Sequence, residues 1–258
     1  MRYVLILIIL SFFSVVRAEL QLVFASVDDY LETGVLEYQN NNFEKALENF
    51  LLAERAGLKN PDLYYNIGNA YFRLSNLPNA IIYYKRALLL NSSHKSAQRN
   101  LDFVLSITRD RQEAEEDNFV TNLIIKSLYF FSINTLLVIV LTILIIIIAL
   151  IHVQWRYTNF DRTFLRFINF VFLFIWLGLS GLTASRISLA KNNNEAVITD
   201  NIVYVYSGPS ESFTRLFSIH EGTVLKIQNE EAGWTQITTL NGFSGWVWSD
   251  TYRRIVER

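Results

Sequence analysis

The sequence predicts a multi-domain membrane protein: an all-α repeat array, then a two-helix transmembrane hairpin, then a small all-β barrel. Three observations carry this. Two blocks repeat at a fixed spacing of 34 residues, so that Gly34 recurs as Gly68, Tyr30 as Tyr64, Ala46 as Ala80, Phe50 as Tyr84 and Ala53 as Ala87. Two later runs, 127–151 and 167–185, carry no charged residue. From Glu195 onward helical periodicity gives way to short segments rich in β-branched and aromatic residues.

In the array, the first helix is expected at about 27–39, with Asn40-Asn41-Asn42 as the turn and a second helix at about 43–56. Gly57 suits the left-handed residue that ends many helices. Asn60-Pro61 opens the next helix: the Asn side chain caps free amides, and Pro sacrifices nothing at the first helical position. Leu77-Pro78 opens the fourth helix in the same manner. The small residues Gly34, Gly68, Ala46 and Ala80 let helices approach, and Tyr30, Tyr64, Phe50 and Tyr84 fill the space between them. A further helix is expected from Lys95 to about Glu115, with Ala97, Leu101, Val104 and Leu105 on one face, covering the open end of the array. The acidic run Glu113, Glu115, Glu116 and Asp117 reads as a solvated spacer.

Residues 1–18 read as a secretory signal: Arg2, an apolar stretch at 3–16, and cleavage after Ala18. An uncleaved anchor is the alternative, and either places the next domain outside the cytoplasm. The apolar runs are long enough to cross a bilayer. The link between them holds Arg156, Arg162 and Arg166 against one acid, Asp161, which favours a cytoplasmic link. Thr135, Thr142 and Ala149 on the first span, and Gly178, Gly181 and Ser185 on the second, form small-residue stripes. Mutual packing is their expected role, with docking of another membrane protein as the alternative. The expected organisation is a signal at 1–18, the repeat domain with its capping helix at 19–117, membrane helices at 123–151 and 165–186 around a cytoplasmic link at 152–164, and the barrel at 195–258.

Strands of the barrel are expected at 202–206, 223–228, 234–239 and 242–248, about five in all. Ser207-Gly208-Pro209-Ser210, Glu221-Gly222, Ala232-Gly233 and Asn241-Gly242 separate them, the last a two-residue hairpin signal. Tyr204, Tyr206, Trp234, Trp246 and Trp248 exceed what so small a barrel can bury. Core packing is the expected role of Trp234 and Trp246.

Composition narrows function. Hydrophobic residues make up 51% of the 258, net charge is −1 and there is no cysteine. No global field attracts nucleic acid, and no basic patch is interleaved with aromatics. Thiol chemistry and disulfides are excluded. The three histidines, His94, His152 and His220, fall in separate segments without metal-ligand spacing. His94 is expected to begin a helix, His152 to sit at a membrane interface and His220 to be a turn residue. No Gly-x-Ser-x-Gly elbow or phosphate-cradling loop occurs. Asp28-Asp29 suits a helix N-terminus. No enzymatic activity, metal or cofactor is expected.

The 34-residue period, with these helix pairs, resembles the tetratricopeptide repeat over both units, departing at Ser75, where glycine is usual, and at Ser92, where proline is usual. Val205-Tyr206-Ser207-Gly208-Pro209-Ser210, Gly222, Gly233-Trp234 and Gly242-Phe243-Ser244-Gly245-Trp246-Val247 resemble the bacterial SH3-like barrel, with Tyr206 where arginine is common. The order of parts resembles the Bat aerotolerance membrane proteins of the BatE type. That resemblance implies a non-enzymatic component of a cell-envelope assembly at the bacterial inner membrane, both folded domains periplasmic. Its implied partners are other Bat proteins with von Willebrand A-type domains, encoded alongside a MoxR-type ATPase. By family position the concave face of the repeats comprises Leu31, Val35 and Tyr38, then Tyr65, Asn69, Phe72 and Arg73, extended by Arg99 and Phe103. Tyr38, Tyr65, Asn69, Phe72, Arg73 and Arg99 are the candidate peptide-binding residues. Some repeats clamp peptide C-termini with lysine and asparagine; Leu31 stands at the lysine position, so no such clamp is expected. The alternative function is a cell-wall attachment module whose barrel binds peptidoglycan.

Overall fold

A computed structural model describes residues 28–110, 133–156, 162–191 and 194–256. The signal at 1–18, the acidic spacer at 113–117 and the centre of the interhelical link lie outside these residues. The helices are α1 (28–39), α2 (Phe43–Arg55), α3 (Pro61–Arg73), α4 (Leu77–Leu90), α5 (Lys95–Ile107), α6 (Ile133–Arg156) and α7 (Arg162–Lys191). The strands are β1 (Glu195–Ile198), β2 (Ile202–Tyr206), β3 (Arg215–His220), β4 (Val224–Glu231), β5 (Trp234–Thr239), β6 (Ser244–Trp248) and β7 (Tyr252–Arg254).

The helix boundaries follow from the capping residues. Asn60 Oδ1 accepts from the Leu63 amide at 2.6 Å, with Pro61 beside it at the first helical position. Asn76 does the same for Asn79 at 3.2 Å. Gly57, at φ +100°, ends α2, and the Leu58 amide donates to the Ala53 carbonyl at 3.1 Å. The 34-residue period reaches into the backbone: Asn41 (φ +62°) and Ser75 (φ +60°) occupy the same left-handed position after α1 and α3. Asparagine tolerates that conformation, whereas serine is strained by it. Ser75→Gly is expected to raise stability by about 0.5–1 kcal/mol, read as a higher urea midpoint with an unchanged m-value.

The repeats pack as the spacing requires. Ala46, Phe50, Ala53, Leu63, Ile67, Ala80, Tyr84 and Ala87 are fully buried, and α5 adds Ala97, Leu101 and Val104. Helix α5 stops at Ile107, short of the expected Glu115; Thr108 is already extended, and the chain turns toward the sheet.

Seven antiparallel strands form one sheet in the order β3-β2-β6-β5-β4-β1-β7, where about five had been expected. Strands β1, β3 and β7 were not among the predicted segments. Inward residues from six strands, among them Ile198, Val205, Ile219, Leu225, Ile237 and Val247, meet in a single aliphatic cluster, so the sheet curls around its own core. Ala232 (φ +49°) and Gly233 (φ +84°) form a two-residue turn between paired Glu231 and Trp234. The Asn241-Gly242 loop is one residue longer than expected. Gly242 N–H donates to the Thr239 carbonyl, Thr239 pairs with Phe243, and Gly242 is left-handed, which makes a three-residue loop with a bulge.

Helices α6 and α7 are long and apolar enough to cross a membrane, over Thr135–Arg156 and Thr163–Ser188, and pack against each other. Their small-residue stripes do not form that contact. Thr135, Thr142, Ala149, Gly178, Gly181 and Ser185 are all exposed, and nothing lies within 4 Å of a Cβ built on either glycine. Leu136, Ile147, Thr183 and Arg186 are buried instead. Long aliphatic side chains on α6 set the spacing, so close backbone approach at the glycines does not occur.

Candidate interaction surfaces

The residues read as the concave face lie on α1 (Leu31, Val35, Tyr38), α3 (Tyr65, Asn69, Phe72, Arg73) and α5 (Arg99, Phe103). The side chains are tied to one another. Arg73 lies over the Phe43 ring at 4.1 Å, and Phe43 meets Tyr38 edge-on at 5.2 Å. Burial pushes the Tyr38 hydroxyl above its ordinary value, opposed by Arg73. Tyr65 contacts Tyr84 and His94, whose ring centroids lie 6.1 and 5.0 Å away. Phe72 meets Phe103 at 5.9 Å.

Asn69 is held from two sides. Its Oδ1 accepts from the Tyr84 hydroxyl and from Asn100 Nδ2, both at 2.8 Å. Its amide nitrogen therefore points in a defined direction, as a group that bonds a peptide carbonyl must. Asn100 is a member of this network that the sequence reading missed; its match to Asn66, 34 residues earlier, is the signal. Arg99 is exposed at the edge, 3.5 Å from Ser96 Oγ. Leu31 is half-buried, and Val35 and Phe103 are exposed apolar residues on the same face. His94 caps α5, accepting from the Ala97 amide at 3.1 Å, with its other ring nitrogen 3.2 Å from Asp62.

On the sheet, Trp234 is buried, as its expected packing role requires, whereas Trp246 is only half-buried, contrary to the role expected for it. Strand alternation sends Val203 and Val205 inward on β2 and Gly245 and Val247 inward on β6. Tyr204, Tyr206, Trp246 and Trp248 consequently point outward. Trp234 is 8% exposed because its neighbours cover it: Tyr206 and Trp248 meet it edge-on at 5.5 and 5.4 Å. Arg215 stacks over Tyr204 at 3.6 Å. The interior between short, strongly curled strands admits aliphatic side chains, so the rings shield one another on the outer face.

A third feature, the seam between repeats and sheet, was not expected. Val197, Val224 and Ile255 join the core of the repeats rather than that of the sheet. Lys85 Nζ pairs with Glu195 at 2.9 Å, Arg86 Nε donates to the Ile255 carbonyl at 2.7 Å, and Arg253 donates to Asn79 Oδ1 at 3.0 Å. Beyond α5, Asp110 receives the His220 backbone amide at 2.7 Å, the His220 ring at 2.9 Å and the Thr223 hydroxyl at 2.8 Å. His220 thus ends β3 as half of a clamp and is not a turn residue. Two signals existed in the sequence. Ala196-Val197-Ile198 and Val224-Leu225 are unbroken apolar strand segments, the pattern of strands covered on both faces. Ile81-Ile82-Tyr83-Tyr84 is apolar around the whole of α4, the pattern of a helix buried on every side.

The clamp is pH-dependent. Burial alone raises the Asp110 carboxyl, but the bonds from His220 and Thr223 outweigh it and hold it below the ordinary carboxylate range. A lowered folded-state value means that its contribution is fully present above the unfolded value of about 3.9 and is lost as pH falls from there through the folded value. The Gly222 and Thr223 amides are expected to lose hydrogen-exchange protection over that acid range, and Asp110→Asn to flatten the dependence.

A family model described as the tetratricopeptide repeat matches residues 61–94, which is α3, α4 and the turn after them. A model described as the bacterial SH3 domain matches residues 201–251, from the start of β2 to the turn before β7. No curated protein matches the chain. Helices α3 and α4 thus match a tetratricopeptide repeat and strands β2–β6 a bacterial SH3 domain, both modules that typically mediate interaction rather than catalysis, with two apolar helices between them in sequence.

Proposed function

We propose that this protein is a non-enzymatic, membrane-anchored scaffold of a cell-envelope complex, of the BatE type, with both folded domains on the periplasmic side of the bacterial inner membrane. The observation that carries this reading is the seam. Domains that share a buried core cannot have a bilayer roughly 30 Å thick between them, and a chain that crosses twice returns to the side it left. The repeats hold one partner through Tyr38, Tyr65, Asn69, Phe72, Arg73 and Arg99. Asn69 meets a backbone group, and Arg73 and Arg99 meet carboxylates. By resemblance the partners are other Bat proteins with von Willebrand A-type domains, and the setting is aerotolerance and oxidative stress. Alkaline phosphatase fused after residue 110 and after residue 258 tests the topology. Activity from both sites is expected, and an inactive fusion at either site defeats it. Crosslinking in intact cells followed by mass spectrometry identifies the partner.

A second reading is supported by the outward aromatics. Tyr204 with Arg215, and Trp248 beside Trp234, offer stacking surface to cell-wall material, which would make the sheet an attachment module. Co-sedimentation of the protein with insoluble peptidoglycan separates the readings: retention that Trp248→Ala abolishes favours attachment.

A further inference from the structure

A cavity of about 790 Å3 lies where repeats, sheet and membrane helices meet, away from the concave face. That volume is within the ~300–1,000 Å3 of small-molecule sites. Its walls are of two kinds. Arg55, Lys59, Arg86 and Arg253 supply four cations, against the single carboxylate of Glu54. Glu54 is itself engaged, accepting from the Tyr83 hydroxyl at 2.8 Å and facing Arg86 at 3.4 Å. The remaining wall is mostly aliphatic, with Leu89, Ile255 and Val256 from the folded domains. Ile133 and Ile187 complete it, the first residue of α6 and one close to the end of α7.

The position of Ile133 and Ile187 decides the class of ligand. Ile187 lies two residues past the uncharged run 167–185 and directly after Arg186, so the wall it shares with Ile133 stands where α7 leaves the hydrocarbon on the side of the folded domains. A molecule that reaches both the cations and these two side chains has an anionic head in water and an apolar tail in the bilayer. Arginine favours planar, bidentate recognition of phosphate, the group an anionic phospholipid carries at the level of this wall.

We propose that this cavity binds one anionic phospholipid from the surrounding leaflet, its phosphate at Arg55 and Lys59 and its acyl chains along Leu89, Ile133 and Ile187. Arg86 and Arg253, already tied to the seam, line the same space. Bound lipid therefore bridges the two domains and the membrane and fixes how the scaffold sits on the bilayer. This rests on α6 and α7 being membrane spans, which resistance to alkaline carbonate extraction tests separately.

The test uses the full chain in phosphatidylcholine nanodiscs doped with diazirine-bearing phosphatidylglycerol. Label is expected on peptides containing Leu89, Ile133 or Ile187, with competition by unlabelled phosphatidylglycerol but not by phosphatidylcholine or glycerol phosphate. The double variant Arg55→Gln, Lys59→Gln alters two exposed side chains outside the core and is expected to lower labelling about tenfold. Ile187→Trp, which leaves every cation in place and crowds the apolar wall, lowers it independently. Equal labelling by a phosphatidylcholine probe, unchanged labelling in the double variant, or displacement by glycerol phosphate overturns the lipid assignment. Protein that resists carbonate yet takes no label defeats the lipid site and leaves the membrane reading intact.

Discussion

Gly245→Ala is expected to unfold the sheet. A Cβ built on Gly245 overlaps Val205 Cγ1 and lies 2.9 Å from the Tyr206 carbonyl oxygen. The obstacle on one side is a buried side chain and on the other is backbone, so no rotamer change relieves it. Strands β2 and β6 pair through Tyr206 and Trp246 alone, and a methyl group between them separates that pairing. Overpacking commonly costs about 1–3 kcal/mol, occasionally more where nothing can yield. This position belongs at or above the top of that range. The edge-to-face set of Tyr206, Trp234 and Trp248 depends on the same strand contact, so near-ultraviolet circular dichroism is the readout. Loss of the aromatic signal is expected at temperatures where α-helical ellipticity persists. A variant with the wild-type aromatic signal and melting temperature would contradict the geometry.

Gly68→Ala is expected to be the most damaging conservative change in the repeats. The new Cβ would stand 2.7 Å from two ring carbons of Tyr84, just as one on Gly34 would stand 2.6 Å from Phe50. Tyr84 cannot retreat: it is fully buried, and its hydroxyl donates to Asn69. Burial also raises that hydroxyl well above its ordinary value, so it stays protonated and keeps donating. The cost is about 2–3 kcal/mol, and it carries a functional signature. Displacing Tyr84 frees Asn69, so the concave face changes where a peptide backbone would bond. Thermal unfolding and peptide binding should fall together. Combining Gly68→Ala with Tyr84→Leu, which opens space at the ring, should recover stability but leave Asn69 without its hydroxyl donor.

Much of the fold was legible because its signals are local. Asn60, Pro61, Asn76 and Pro78 act within one turn of helix, and Gly57 within one residue. The Ala46/Ala80 and Gly34/Gly68 pairs speak for helix contact because only small residues permit it. The candidate groove was read from repeat position alone, which carries Leu31 to Tyr65 and Arg99, Val35 to Asn69 and Phe103, and Tyr38 to Phe72. Asn100 escaped because its repeat equivalent, Asn66, stands outside the rows read as the groove, and only the packing of α5 on α4 brings its amide to Asn69. The small-residue stripes of α6 and α7 misled because a helix face shows what it permits, not which neighbour it meets.

By itself the sequence determined the order of repeats, apolar helices and sheet, the capped starts of α3 and α4, and the strand-rich character of the last quarter. Capping, periodicity and hydropathy depend on neighbours along the chain. Only the tertiary structure decided that Val197, Val224 and Ile255 bury against α4, that Trp246 stays half-exposed on the outer face, and that Asp110 grips the β3–β4 turn. Those outcomes turn on which surface each strand and helix is covered by. That depends on residues more than a hundred positions away, such as Lys85 and Glu195, whose attraction no local pattern encodes.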